Sequence, residues 1–194
     1  MKDWIFGYGS LVNERTRRTK KQRLYVELDG WRRNWGHRVV AQGIEISSLT
    51  ISPSDQDSIQ GVITAETVCT LAEIDKRETH YKREEVEDDV ILLSKAPARL
   101  SLNNKIYIYV SKNLDPDERF HERRPILQSY LDCILDGYYR HFGPEGAARF
   151  IATTDGWERP IKNDRSNPLY PRALQYSQKT IKLFDELVQK YTVS

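Results

Sequence analysis

Apolar residues fall in short alternating runs through the first two-thirds of the chain and in helical stripes through the last third. Trp4-Ile5-Phe6 reads as a first strand and 24–28 as a second. Residues 30–36, with two glycines and an asparagine, read as a turn. The stretches 37–41 and 47–51 read as further strands, 53–57 as a polar turn, and 59–65 as a returning strand. Gly61 inside that last strand marks a bulge or a close backbone approach. Residues 86–93 are extended. Asn103-Asn104 suggests a hairpin between 98–102 and 105–110. In its second arm Ile106, Ile108 and Val110 alternate with Tyr107 and Tyr109, so both faces are expected to be covered.

The period then changes. Thr70 followed by Glu73 makes a capping box, and Leu71, Ile74, Glu78 and Tyr81 recur at spacings of three and four. This predicts a helix starting at Thr70 and reaching Tyr81. Glu78 is the odd member of the stripe. A carboxylate there must be hydrogen-bonded, paired or neutral, unless it lies at the frayed helix end and reaches water; both placements fit the spacing. After a charged connector over 113–123, Pro125 suits a first helical turn. Leu127, Leu131, Ile134 and Tyr138 form a stripe that ends at Gly143-Pro144, and 145–151 allows a short following helix. Residues 153–157 read as a loop. A polar, proline-bearing segment covers 159–172, the kind of surface loop that also supplies binding groups. Ser177 caps a last helix with Ile181, Phe184, Leu187, Val188 and Tyr191 on one face.

With 194 residues, no repeat and no linker, one domain over 1–194 is expected. A net charge of +2 argues weakly for nucleic acid, and the basic run from Arg15 to Arg23 reads as a solvated loop. No stretch approaches transmembrane length and no secretory leader opens the chain, so a cytoplasmic protein without membrane partner is the expectation. Cys69 and Cys133 are too few for a disulfide framework or zinc site, and His37, His80, His121 and His141 lack metal-ligand spacing.

The candidate chemistry begins at Phe6-Gly7-Tyr8-Gly9-Ser10-Leu11. Two glycines after a strand permit close backbone approach, and the N–H groups that follow can hold an anion or oxyanion, or form an ordinary strand-end turn. The spacing fits neither a dinucleotide fingerprint nor a P-loop. Ser10 lacks a recognisable His/Asp pattern for nucleophilic catalysis, which favours a substrate ligand. Trp31 and Trp35 beside Arg32 and Arg33 either wall a pocket or cap a core edge. Arg165 and Arg172 are candidates for recognising a carboxylate.

Three motifs in this order resemble the gamma-glutamylcyclotransferase-like superfamily: Phe6-Gly7-Tyr8-Gly9-Ser10-Leu11, Gly30-Trp31-Arg32-Arg33, and Asp75-Lys76-Arg77-Glu78-Thr79-His80-Tyr81-Lys82-Arg83. Asn167-Pro168-Leu169-Tyr170 resembles the family's late tyrosine motif. The resemblance implies an α+β fold, a small mixed β-barrel with packed helices. It implies an enzyme that releases 5-oxoproline from a gamma-glutamyl amide or peptide by intramolecular attack of the substrate's α-amine. Glu78 would be the catalytic proton shuttle, and Tyr8, Gly9, Ser10, Leu11 and Tyr170 the substrate-binding residues. No metal or organic cofactor is implied. Leu11 stands where mammalian-type cyclotransferases carry asparagine, which looks more like the glutathione-degrading and antibiotic-pathway branches. The alternative is a non-catalytic small-molecule or protein-binding module on the same fold.

Overall fold

The computed structural model describes residues 2–16, 22–86, 90–92, 98–99, 105–112 and 124–192. Strand β1 (Lys2–Gly7) leads into two short 3-10 turns, Ser10–Val12 and Glu14–Thr16. Two long strands follow, β2 (Arg23–Ala41) and β3 (Ile44–Thr67). Helix α1 (Val68–Arg77) precedes β4 (Tyr81–Val86), β5 (Val90–Leu92), β6 (Ala98–Arg99) and β7 (Ile106–Ser111). The chain continues through β8 (Ile126–Leu127), α2 (Gln128–Ala152), β9 (Thr154–Asp155), β10 (Ile161–Lys162) and α3 (Gln178–Thr192).

The architecture is α+β, with a mixed sheet and a few packed helices. The main sheet runs β4-β7-β1-β3-β2-β5-β6, with β1 and β7 parallel and its other neighbours antiparallel. Its described pairings leave β4 and β6 as ends, so they do not close the expected barrel.

β2 and β3 form one long ribbon, which corrects two expected turns. Residues 30–36 stay in β2 because their inward side chains alternate: Arg33, Trp35 and His37 are buried. Two of those inward positions carry a charged or polar ring system, so the period-2 signal is hidden from hydropathy. Residues 53–57 lie within β3, although Ser58 pairs Asp29 while Pro53 pairs Trp31. The residues between therefore bulge out opposite Gly30, whose φ of +80° absorbs the mismatch. Trp35 is fully buried and packs edge-on against Trp157, so this tryptophan belongs to the core rather than to a pocket wall.

Side-chain alternation divides the core. Trp4, Phe6, Ile106 and Ile108 join the main cluster with Val26, Leu28, Ile59 and Val62, against Leu131, Ile134, Leu135 and Tyr138 of α2. Ile5, Tyr107 and Tyr109 face the other way and pack with Leu71 and Ile74 of α1. Both faces of β7 are thus covered. Asn103-Asn104 and the 113–123 connector lie outside the described residues. The described parts of the expected hairpin arms pair elsewhere, β6 with β5 and β7 with β1 and β4.

Helix α1 starts earlier and ends earlier than its stripe predicts. Thr67 is the N-cap and Thr70 completes a reciprocal capping box with it; Tyr81 is already in β4. The Thr-x-x-Thr pair outcompetes Thr70-Glu73 because it sits at the point where β3 ends. α2 is two helices meeting at Gly143, with φ 72° and ψ −173°, and Pro144 starts the second. Ser177 caps α3 as expected, its Oγ accepting from the Thr180 N–H at 3.2 Å.

Gly61 is where β3 admits β1. A Cβ there would stand 2.5 Å from Phe6 Cζ and 2.7 Å from the Gly7 carbonyl oxygen. The second neighbour is backbone and cannot swing away. Gly61→Ala is expected to destabilise the fold by about 1–3 kcal/mol. A urea midpoint unchanged from wild type, at unchanged slope, would refute this packing account.

Candidate active site

β1 ends at Gly7 and delivers Tyr8-Gly9 into the Ser10–Val12 turn. The turn closes with Val12 N–H to Gly9 O at 3.0 Å and Asn13 N–H to Ser10 O at 3.1 Å. The amides of Ser10 and Leu11 come before the first closed bond, so the turn's own hydrogen bonds do not use them.

This loop is held from three sides. Beneath it, Arg33 Nε donates to the Tyr8 carbonyl at 3.1 Å, and the Tyr138 hydroxyl donates to the same oxygen at 2.9 Å. Arg33 also donates to Tyr138 Oη at 2.6 Å, to Thr153 Oγ1 at 2.8 Å and to the Gln60 carbonyl. Its guanidinium lies over the rings of Tyr138 and Phe150, 5.1 and 5.2 Å from their centroids. With 1% of its surface exposed, Arg33 is held by carbonyls, hydroxyls and ring faces; burial pushes its pKa down. On the α2 side, Asn13 Nδ2 donates to the Cys133 carbonyl at 2.8 Å and to Asp136 Oδ2 at 2.9 Å. Gly137 permits that approach, since a Cβ would meet Asn13 N at 2.8 Å. From the late segment, the Tyr170 hydroxyl donates to Ser10 Oγ at 2.8 Å.

Above the loop is a cavity of about 1120 Å³. Tyr8, Gly9, Ser10, Leu11, Glu78 and Tyr170 all line it. Residues some 160 positions apart in sequence are therefore brought to one wall. Glu78 is the C-cap of α1, so its position is set by backbone: its N–H bonds Ile74 O at 2.8 Å and its carbonyl accepts from Tyr81 N–H at 2.9 Å. The helix is tied to the sheet by Tyr109 Oη donating to Asp75 Oδ1 at 2.8 Å and by the Arg83–Asp75 ion pair at 3.2 Å. The helix-end reading of Glu78 is thus right about place, yet that end faces the cavity and the residue is half-buried.

Five tyrosines line the cavity: Tyr8, Tyr81, Tyr109, Tyr130 and Tyr170. Burial is the main cause that pushes each phenol upward, so all five are hydrogen-bond donors rather than bases near neutral pH. The charge of Glu78 adds to the upward push on Tyr8, Tyr81 and Tyr109, which places its carboxylate among them. Tyr8 Oη donates to Tyr109 O at 2.6 Å and Tyr81 Oη to Leu49 O at 3.2 Å. Glu66, Glu73 and Glu78 are the carboxylates among the described lining residues.

Arg172 lines the cavity and lies over the Tyr170 ring at 5.5 Å. Arg165 does not: it pairs with Asp132 at 2.7 Å and Asp185 at 2.7 Å and fastens the late segment to α2 and α3. Of the basic run, Arg15 pairs with Asp136, while 17–21 lie outside the described residues. Glu66 and Tyr130 were not nominated by sequence, and Arg33 only as part of the Gly30-Trp31-Arg32-Arg33 motif. Arg33 had a signal, an arginine at a strand position flanked by inward tryptophan, but the turn expected there concealed it. Buried His37 donates or accepts at 2.7 Å with Ser111 Oγ, and burial lowers its pKa to about 4. Among the described residues no group of three metal-ligating side chains forms.

No family model matches the chain, and no curated protein matches it. Solved structures do. A protein described as "Gamma-glutamyl cyclotransferase" superposes with a TM-score of 0.60 at 17% identity, over 96% of this chain and 99% of its own. Uncharacterized protein loc79017 from Homo sapiens gives a TM-score of 0.58 at 16% identity, over 95% and 98%. YkqA from Bacillus subtilis gives 0.55 at 15% identity over 76% of this chain, which spans only 52% of that protein. At these identities the likeness is one of fold.

Proposed function

We propose that this chain is a gamma-glutamyl cyclotransferase. It would release 5-oxoproline from a gamma-glutamyl amide or peptide, with Glu78 as proton shuttle. The observation that carries the reading is that Glu78 and the Tyr8–Leu11 loop line one cavity in which the described tyrosines are donors, not bases. The shared fold with a structure described as a gamma-glutamyl cyclotransferase supports the same reaction type.

The substrate's α-ammonium cannot attack until it is deprotonated. Glu78 takes that proton. The free amine then attacks the gamma-carbonyl carbon of the same molecule, forming the lactam C–N bond. The tetrahedral centre collapses as the old C–N bond breaks: the proton held by Glu78 goes to the departing nitrogen, and the extra proton on the new ring nitrogen passes through the freed carboxylate to the released amine, which leaves as an ammonium. No water is consumed and no group stays on the protein. The reacting atoms share one molecule, so the protein's task is to hold the chain folded back on itself. The amides of Ser10 and Leu11 and the Arg172 guanidinium supply donors for the substrate's anionic oxygens. The buried cation of Arg33 behind the Tyr8 carbonyl adds a fixed positive potential below them.

The test is direct. Folded protein incubated with gamma-glutamyl-alanine, glutathione and a gamma-glutamylamine is expected to release 5-oxoproline from at least one, read by chromatography. Substrates bound but recovered intact would replace this reading with that of a binding module.

A further inference from the structure

Helix α2 begins without a cap of its own. Its N-cap is Leu127, whose side chain offers no acceptor to the open amides of the first turn. The acceptor comes from Asp164, 35 positions after Ser129. β10 runs parallel to β8, Ile161 opposite Ile126 and Lys162 opposite Leu127. α2 starts directly after β8, so a residue two places beyond β10 arrives at the helix start. Asp164 Oδ1 accepts from the Ser129 N–H at 2.8 Å, and Oδ2 from the Ser129 hydroxyl at 2.6 Å. Oδ2 also accepts from the Leu169 N–H at 2.9 Å. The residue is buried.

Both ends of this bridge lead to the site. Ser129 precedes Tyr130, and Leu169 precedes Tyr170. Those two rings pack with centroids 4.8 Å apart, and both line the cavity. Leu169, Tyr170, Pro171 and Arg172 line it as one run. The Tyr170 hydroxyl reaches Ser10, and the Tyr130 hydroxyl lies 3.2 Å from where a Cβ on Gly9 would stand. The glycine loop is thus covered by two phenols whose backbones share one carboxylate. Asp164 itself does not line the cavity. Its neighbour Arg165 ties the same segment to Asp132 and Asp185 instead.

We propose that Asp164 is a positioning residue for the site: by joining the start of α2 to Leu169 it sets Tyr170 and the run to Arg172 against Tyr130 and the glycine loop, and so sets how tightly substrate is held. This rests on the function proposed above and adds to it a residue outside the cavity. The donors that Asp164 places meet the substrate in ground and transition states alike, so its effect belongs in KM rather than kcat. Glu78 is placed separately, by the backbone of α1.

Asp164→Asn divides the bridge. Asparagine can still accept from the Ser129 amide and donate to Ser129 Oγ, so α2 keeps a cap of similar quality. Its NH2 cannot accept from the Leu169 N–H, and two donors then face each other. The tie to the lining run is lost while the helix start is kept.

The experiment measures 5-oxoproline release against substrate concentration, using the gamma-glutamyl compound that wild type turns over fastest. Asp164→Asn is expected to raise KM roughly three- to tenfold, the worth of about one hydrogen bond. Its kcat should stay within about threefold of wild type. Asp164→Ser, which offers one oxygen in place of two, is the second variant should the first not fold, with the same expected split. Arg165→Gln removes the ion pairs to Asp132 and Asp185 but leaves the Leu169 bond; it should lower the melting temperature and leave KM within about twofold. A KM unchanged in the Asp164 variants, or raised as much in Arg165→Gln, overturns the positioning role and leaves the cyclotransferase standing. A loss confined to kcat overturns it as well. No 5-oxoproline from wild type overturns both.

Discussion

Glu78→Gln is expected to cut 5-oxoproline release by at least about 10²-fold, the lower end for loss of a positioned acid/base. The swap keeps size and one acceptor but removes the group that takes the proton. The substrate amine then stays an ammonium, with no lone pair to attack. Affinity should change far less, because the Tyr8–Leu11 loop and its three anchors are untouched. The fold should persist. Glu78 caps α1 through its backbone, which glutamine reproduces. Taking a negative charge from a helix C-terminus is favourable by about 0.3–1 kcal/mol, so the melting temperature should hold or rise slightly. Turnover and substrate binding are to be measured on one preparation with an unchanged circular dichroism spectrum. Near-wild-type turnover would remove Glu78 from the mechanism. Unchanged turnover at saturation with weakened binding would make it a ligand for the ammonium instead.

The largest expected effect on stability lies behind the loop, at Arg33→Ala. The side chain is fully enclosed and reaches the Tyr8 carbonyl, the Gln60 carbonyl, Tyr138 and Thr153. Truncation leaves a void under two aromatic rings and strips acceptors of their donors; together these cost about 3–5 kcal/mol. For a chain of this size that is a fall in melting temperature of about 10 °C. Tyr138 still bonds the Tyr8 carbonyl, so the loop should loosen rather than detach, and KM should rise even where the protein is folded. Arg33→Lys is not expected to rescue, since one ammonium cannot reach in the three directions the guanidinium does. A melting temperature within about 2 °C of wild type in Arg33→Ala would refute this role.

The candidate site was more legible in the sequence than the frame that holds it. Glycines at 7 and 9 and a glutamate on an apolar stripe are local signals, and both ends of that wall could be named from residues a few positions apart. The late polar segment was recognisable as a source of binding groups, and Tyr170 arrives from it. The supports were not legible, because their logic is contrary to hydropathy. Arg33 and His37 occupy inward strand positions, so a continuous strand looked like a turn. The bulge opposite Gly30 looked like a chain reversal because its four residues are polar and loop-like, although the ribbon resumes on either side. α1 was displaced by one turn because two threonines three apart offered a better cap than the pair that included Glu73. The pairing of β7 with β1 rather than with its sequence neighbour depends on a parallel crossover that no local pattern encodes.

The anchors of the glycine loop also set an order of assembly. The β2–β3 ribbon is a hairpin whose partners are near in sequence, so its closure costs little chain entropy. The loop's fastenings span 130 residues to Tyr138, 120 to Cys133 and 160 to Tyr170. During synthesis the loop is therefore made first and secured last. Until α2 and the segment around Tyr170 have emerged, the nascent chain holds a formed ribbon beside an uncovered apolar face, the state in which such chains are most exposed to aggregation and to chaperones.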